Sequence, residues 1–186
     1  MNKQDRRFQR TDDIIKREFI NISKEKKDIN KVTVTEICNR ANINRCTFYL
    51  HYETIQHLIE HLEHEYAQKL IDACAVYNYN KETEYFFESI FDAVKNNPEL
   101  FHFYFFISNG GGMNLLEEYL HDNMISMWMK HSEINENEAK LVLRFLLKGA
   151  MELLREWYIN DFNNEESIKK IFDSLIKHGL YSLAYL

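Results

Sequence analysis

Residues that interrupt helices are scarce in this sequence. Its 186 residues include 5 Gly and 1 Pro, and the long stretches between them lack the turn residues that a sheet of many short strands needs. Hydrophobic residues make up 45% of the chain, which is enough to form a substantial core. The sequence therefore predicts an all-α fold of about nine helices joined by short polar connections.

Apolar residues that recur every three or four positions place these helices along the chain. We predict a charged, mobile lead-in over residues 5–10, a glycine-rich loop over 109–112, and helices over 11–26, 33–41, 45–51, 55–75, 81–95, 98–107, 114–131, 137–160 and 165–185. We divide the chain into an N-terminal domain, residues 1–60, and a C-terminal domain, residues 61–186.

Charge is distributed unevenly along the chain. The net charge is −6, but residues 1–50 hold 12 Lys and Arg against 7 Asp and Glu, whereas residues 51–186 hold 11 against 22. A basic segment attached to an acidic body predicts that the N-terminal part meets a polyanion such as DNA. Chance clustering of solvated charges would give the same totals, so charge alone does not decide the function.

The three cysteines are an odd number without CxxC spacing, and no N-terminal apolar segment is present. This pattern is typical of a reducing compartment. No run of about 18 apolar residues, the length needed to span a bilayer, occurs in the chain. We therefore expect a cytoplasmic protein that makes no membrane contact.

Two short predicted helices separated by a three-residue turn are typical of a helix-turn-helix. Thr33 and Glu36 have the spacing of a capping box, in which each side chain accepts the other's backbone N–H. Asn42 stands where the chain must reverse and tolerates a left-handed backbone, and Asn44 can cap the second helix. That second helix, residues 45–51, is predicted to enter the major groove of DNA.

Polar side chains on the second helix offer the groups that DNA recognition uses. Arg45 can reach guanine O6 and N7 or a phosphate. Thr47, Tyr49 and His51 carry donors suited to phosphate oxygens, which set register rather than sequence. Each of these residues alone would be an ordinary surface side chain, and the ordered set behind a capping box favours DNA binding.

The segment TVTEICNRANINRCTFYLHYETIQHLIEHL, residues 33–62, resembles the DNA-binding signature of the TetR/AcrR family of transcriptional regulators. The positions that match are Thr33, Val34, Ile37, Ala41, Thr47, Phe48, Tyr49, His51, Tyr52 and Leu58. The resemblance is strong over about residues 11–60, and Gly149 and Trp157 follow a pattern of some dimerisation helices. It implies a homodimeric repressor, or less often an activator, that binds a palindromic operator and responds to a small-molecule effector of unknown identity.

The resemblance also assigns roles to individual residues. Thr33 and Thr35 open the supporting helix, Phe48 belongs to the core, and the whole predicted DNA-binding set is Thr33, Thr35, Asn44, Arg45, Cys46, Thr47, Tyr49, Leu50 and His51. Asn44, Arg45 and Cys46 are the expected base readers; Thr47, Tyr49 and His51 are the expected phosphate contacts. Three departures stand out: Asn42 replaces a usual Gly, Cys46 stands where a small residue is common, and Ile55 replaces a usual Lys that binds phosphate.

The C-terminal part has no catalytic motif, so we expect neither an enzyme nor a cofactor. His57, His61 and His64 follow i, i+4, i+7 spacing and could face a metal, although a solvated helix face is the commoner meaning and we assign no metal site. Cys46 is either sensitive to oxidation or simply small.

An effector pocket and a dimer interface complete the predicted sites. The resemblance places the pocket among aromatic helices, with Phe87, Phe91, His102, Tyr104 and Phe105 as candidates. Wide apolar stripes on the last two helices predict a four-helix dimer interface, with Leu146, Gly149, Leu153, Trp157, Phe172 and Leu175 as its members. Two alternatives stay open: a helical interaction protein that no longer binds DNA, and an enzyme that uses the aromatic body.

Overall fold

Every regular element of the described residues is helical. The structure is a computed structural model that describes residues 3–75, 83–108, 111–122 and 135–175. The α-helices are α1 (Lys3–Lys26), α2 (Val34–Ala41), α3 (Arg45–His51), α4 (Ile55–Ala75), α5 (Thr83–Asn96), α6 (Pro98–Phe106), α7 (Gly111–Leu120), α8 (Glu136–Ile159) and α9 (Glu165–Ser174), and a 3-10 turn spans Ile29–Lys31. The predicted all-α fold is confirmed, and none of these described helices is long and apolar enough to cross a membrane.

The helices divide between two compact units. The first unit contains Met1–Tyr66 together with Asn97–Gly112, and the second contains Ala67–Asn96 together with Met113–Leu186. The division falls within α4, and α6 belongs with the N-terminal helices although α5 precedes it in the chain. The functional boundary after residue 60 stays a prediction.

Helix α1 begins at Lys3, so the predicted start at Thr11 and the mobile lead-in before it are wrong. The hydroxyl of Thr11 donates to the backbone carbonyl of Arg7 at 2.9 Å, which is a bond within a helix and not an N-cap. Phe8 lies one heptad before the buried Ile15, so the apolar stripe of α1 extends toward the N-terminus. That continued stripe explains why the helix starts early.

Two other boundaries differ from the predictions. Helix α7 begins at Gly111, inside the predicted glycine loop, because the first turn of a helix tolerates glycine. Described structure ends at Asp122 for the helix predicted over 114–131 and at Leu175 for the one predicted over 165–185. The remainders of both predictions lie outside the described residues.

Aromatic side chains form the core of the first unit. Phe19 of α1 and Phe103 of α6 are both fully buried, with ring centroids 6.0 Å apart. Tyr66 of α4 meets Phe101 edge to face at 4.7 Å and stacks on Tyr104 at 3.9 Å. Helix α6 thus supports α1 and α4 from the side of the core, which holds the helix-turn-helix in place.

The second unit has a separate aromatic core. Phe91 of α5 packs against Trp157 of α8 at 4.4 Å and Phe172 of α9 at 6.0 Å. The ammonium groups of Lys95 and Lys169 lie 5.5 Å from the ring centroids of Trp157 and Phe91 respectively, within the range of cation–π attraction. These contacts join α5, α8 and α9.

Candidate nucleic-acid interface

Reciprocal hydrogen bonds define the start of α2. The Thr33 hydroxyl accepts the Glu36 backbone N–H at 3.3 Å, and the Glu36 carboxylate accepts the Thr33 N–H at 3.1 Å. The predicted capping box is therefore confirmed. Hydrogen bonds from Lys26 and then Thr33 lower the pKa of Glu36, so the carboxylate that closes the cap is ionised at neutral pH.

The reversal between α2 and α3 depends on two asparagines. Asn42 ends α2 with φ 52° and ψ 47°, the left-handed conformation predicted for it. Asn44 begins α3, and its side-chain oxygen accepts the Thr47 N–H at 2.7 Å and the Thr47 hydroxyl at 3.0 Å. Ile43 donates its N–H to the Cys38 carbonyl at 3.0 Å. Both predicted asparagine roles are confirmed.

Substitutions at Asn42 test the conformation of this turn. We expect Asn42→Ala to lower the free energy of unfolding by about 1 kcal/mol, because a β-carbon without a local polar group disfavours the left-handed region. Asn42→Gly should stay within about 0.5 kcal/mol of the wild type, since glycine adopts that region readily. Urea denaturation of both variants measures the difference, and equal stability would contradict the turn geometry.

The solvent-facing side of α3 carries most of the predicted base readers. Phe48 is fully buried, whereas Tyr49 is 49% and Leu50 76% exposed. Arg45 and Cys46 are also exposed, and Arg45 forms no hydrogen bond or ion pair with the described residues. A helix with one buried anchor and a free opposite side can enter a groove without disturbing its own core.

The threonines and Asn44 occupy the rim of this surface. Thr33, Thr35 and Asn44 are exposed, and Thr47 is half-buried beside the cap that it shares with Asn44. Because the Thr47 hydroxyl already donates to Asn44, only its lone pairs remain for another partner. The predicted donation from Thr47 to a phosphate would require this cap bond to break.

The side chain of His51 is covered by neighbouring residues and is not exposed to solvent. Its side chain is 3% exposed, and its ring stacks on Phe8 of α1 with centroids 3.8 Å apart and planes inclined by 20°. Burial lowers the pKa of His51, although the Asp12 carboxylate 3.5 Å from Nδ1 opposes that shift. In this position the His51 ring packs between helices of the first unit, and its predicted contact to a phosphate would require this cover to move.

A half-buried polar cluster joins α1 to the end of α3 and to α4. The Tyr52 hydroxyl donates to the Asp12 carboxylate at 2.5 Å, and the Lys16 ammonium lies 2.8 Å from Asp12 and 2.9 Å from Glu65. Sequence reasoning missed this cluster and Phe8. The signal for both was present, since Phe8 and Asp12 are four residues apart on the face that carries the apolar stripe.

The pKa of Asp12 makes the cluster testable. Burial raises this pKa, but hydrogen bonds from Lys16 and Tyr52 outweigh it and bring the pKa below its ordinary value of 3.8. The folded protein therefore binds this proton less tightly than the unfolded chain does. Stabilisation by the carboxylate is complete above about pH 5 and is lost as the pH falls through the lowered pKa.

We expect Asp12→Asn to lower the free energy of unfolding by about 2 kcal/mol at neutral pH, because an amide accepts these bonds without charge. The difference between wild type and variant should shrink below the ordinary pKa of 3.8. Denaturation curves at several pH values measure it. A difference independent of pH would mean that the carboxylate's charge is not what stabilises the cluster.

Several cations near the start of α1 have no acidic partner among the described residues. Arg6, Arg7 and Arg10 are exposed and form no ion pair there, whereas Arg40 of α2 is bound to Glu25. Because Phe8 stacks on His51, this basic stretch lies beside the end of α3. The first unit therefore carries exposed positive charge, without an ion-pair partner among its described residues, near the end of its second short helix.

The predicted pocket residues belong to different units. Phe91 is buried in the core of the second unit, while His102, Tyr104 and Phe105 lie on α6 of the first. Burial raises the pKa of Tyr104 to about 12 and lowers that of His102. The side chain of Phe87 lies outside the described part of the structure. Neither unit by itself gathers the predicted set.

The predicted dimer residues are also divided. Trp157 and Phe172 are 0% and 5% exposed and serve the core of the second unit, so they offer no area to a second copy. Leu146 and Leu153 are half-buried, and Leu175 is 45% exposed. Gly149 is exposed, and a β-carbon added there would meet no atom within 4 Å.

Sequence reasoning missed the most exposed apolar side chains of α8. Leu141 is 67% and Phe145 77% exposed, and their spacing of four residues puts them on one face. This spacing was visible in the sequence, but the residues on the buried side show the same periodicity.

The histidines of α4 lie near the helix-turn-helix. The rings of His57 and His61 meet Tyr52 edge to face, with centroids 5.9 and 5.8 Å away. In the part of the chain that the structure describes, no group of three His, Cys, Asp or Glu side chains is arranged to hold a metal ion. The backbone N–H of His57 donates to the Thr54 hydroxyl at 3.0 Å, which caps the start of α4.

Comparison with known proteins gives one informative similarity. Over 99 residues the chain is 29% identical to YxbF of Bacillus subtilis (strain 168), described as an uncharacterized HTH-type transcriptional regulator. The match covers 50% of this chain and 26% of YxbF, so the chain spans about a quarter of that protein. No protein-family model matches the sequence.

Proposed function

We propose that this chain is a DNA-binding transcriptional regulator of the TetR/AcrR type. In this proposal α3 enters the major groove of a palindromic operator, and the chain acts as a homodimer in the cytoplasm. It represses transcription until a small molecule binds and releases it from DNA. The chain works by binding and not by catalysis, without a cofactor.

The geometry of α2, the turn and α3 carries this proposal. A confirmed capping box, a left-handed asparagine and a second asparagine cap hold two short helices as a helix-turn-helix does. The second helix presents Arg45 and Tyr49 to solvent while Phe48 anchors it from behind. Among the described residues, no ion pair or side-chain hydrogen bond involves the exposed Arg45, Cys46, Tyr49 or Leu50 of α3, which suits a surface made for a partner.

Charge and similarity add support. The unpaired cations of α1 lie beside α3, where the phosphates of a bound duplex would run. The printed description of YxbF as an HTH-type transcriptional regulator agrees with DNA binding. The exposed apolar residues of α8 support the homodimer, since they offer a surface to a second copy of the chain. The geometry of DNA also favours a dimer, because two recognition helices must reach successive major grooves about 34–36 Å apart.

Selection of DNA from a randomised duplex pool tests the proposal directly. We expect the full chain to enrich a palindrome and to bind it with an affinity that falls steeply as salt rises, because phosphate contacts release counterions. Fluorescence anisotropy on the selected duplex, at several salt concentrations, measures this dependence. A scrambled duplex of equal length and composition is the control.

Two results would overturn the proposal. The first is failure to enrich any duplex, and the second is equal affinity for the selected and scrambled duplexes at every salt concentration. Either result would leave the helical interaction protein as the better reading. If the selected duplex contained two non-identical sites, DNA binding would stand, and only the palindromic operator and the homodimer would be contradicted.

A further inference from the structure

The outermost ridge of α3 is apolar. Successive residues of an α-helix are rotated by about 100°, so Cys46 and Leu50 lie on the side opposite to the buried Phe48. Arg45 and Tyr49 lie along one flank of this ridge. Leu50 is 76% exposed and Cys46 is exposed, so the part of the helix that projects furthest from the core offers no strong hydrogen-bonding group.

An apolar ridge on the surface is not what solvation alone favours, because water hydrates polar side chains better. Leu50 is the most exposed of the large apolar side chains of α3, and the described residues leave it uncovered. Arg45 flanks Leu50 on the same helix, and the exposed arginines of α1 lie near the end of α3, where Phe8 stacks on His51. An apolar ridge with positive charge nearby fits a polyanion that has an apolar group within reach, and duplex DNA has one.

The floor of the major groove exposes one apolar group among its base edges, the 5-methyl group of thymine. All other base edges there present hydrogen-bond donors or acceptors, which a leucine side chain would desolvate without replacing. We propose that Cys46 and Leu50 read thymine through its methyl group, and that each operator half-site places thymine opposite this pair. This inference rests on the proposed function and names the chemistry by which α3 discriminates.

Deoxyuridine provides a direct test, because it differs from thymidine only by the methyl group. On the selected operator, each thymine is replaced in turn by uracil, and the dissociation constant is measured by anisotropy at fixed salt. We expect one or two positions in each half-site to weaken binding by about fourfold, the effect of removing one buried methyl group. The other thymines should tolerate uracil.

Protein variants identify the side chain that senses the methyl group. In Leu50→Ala the preference for thymine over uracil at the sensitive position should fall close to unity, and Cys46→Ser should reduce it at a neighbouring position. Tyr49→Phe is the matched control, since it alters the flank and should keep the preference. The exposure of Leu50 makes unfolding of the variant unexpected, and circular dichroism checks it.

A second substitution separates methyl recognition from other contacts to the same pair. Replacing the sensitive T·A pair by C·G should weaken binding, and 5-methylcytosine at that place should restore about fourfold. The inference is overturned if the operator is bound but no thymine senses uracil, or if the uracil effect persists unchanged in Leu50→Ala and Cys46→Ser. Failure to select any duplex overturns the proposed function and this inference with it.

Discussion

Phe145→Glu is expected to convert the proposed homodimer into monomers and to lower operator affinity by more than about a hundredfold. Phe145 is 77% exposed in the single chain, so the substitution leaves the core of the second unit intact. At a two-fold interface the new carboxylate would be buried without a partner in both subunits, and an unpaired buried charge costs about 3–5 kcal/mol. A monomer then holds only one half-site.

Sedimentation velocity at micromolar concentration and anisotropy on the selected operator measure the two effects together. Phe145→Leu is the matched control, because it keeps an apolar side chain at the same place and should remain a dimer that binds normally. A dimeric Phe145→Glu with unchanged affinity would show that this face of α8 lies outside the interface. A monomeric wild type that binds the palindrome tightly would contradict the dimer itself.

Arg45→Ala is expected to lower operator affinity by about 1–3 kcal/mol per half-site, or about 5- to 150-fold. Arg45 is exposed and has no ion pair among the described residues, so its guanidinium is free for a base or a phosphate. If it reads guanine, the variant should accept other bases at one position while the salt dependence hardly changes. If it binds phosphate, the loss should be uniform across sequences and the salt dependence weaker by about one contact.

Arg40→Ala provides the comparison for this experiment. Arg40 is also an exposed arginine of the helix-turn-helix, but its guanidinium is bound to Glu25, with one bond of 2.7 Å. Exposed pairs contribute little to stability, about 0–1 kcal/mol, so both variants should remain folded. Equal operator affinity for wild type and Arg45→Ala would contradict the proposed placement of α3 in the major groove.

Local features of the helix-turn-helix were readable from the sequence because the interactions that form them connect near neighbours. Thr33 and Glu36 are three residues apart, as are Asn44 and Thr47. The left-handed Asn42 follows from a side chain that tolerates this conformation where a chain must reverse. Helix periods depend on the same short distances, so most helix bounds came within a few residues of the structure.

Only the tertiary structure decided which side of each helix is covered. His51 has the residue type of a phosphate ligand, but Phe8 and Asp12, which cover it, come from another helix, and Asp12 and Tyr52 are 40 residues apart. Trp157 likewise lies on an apolar stripe that looked suited to a partner, yet Phe91 covers it. Periodicity shows that a face is apolar, whereas burial depends on contacts between distant segments that one-dimensional spacing does not contain.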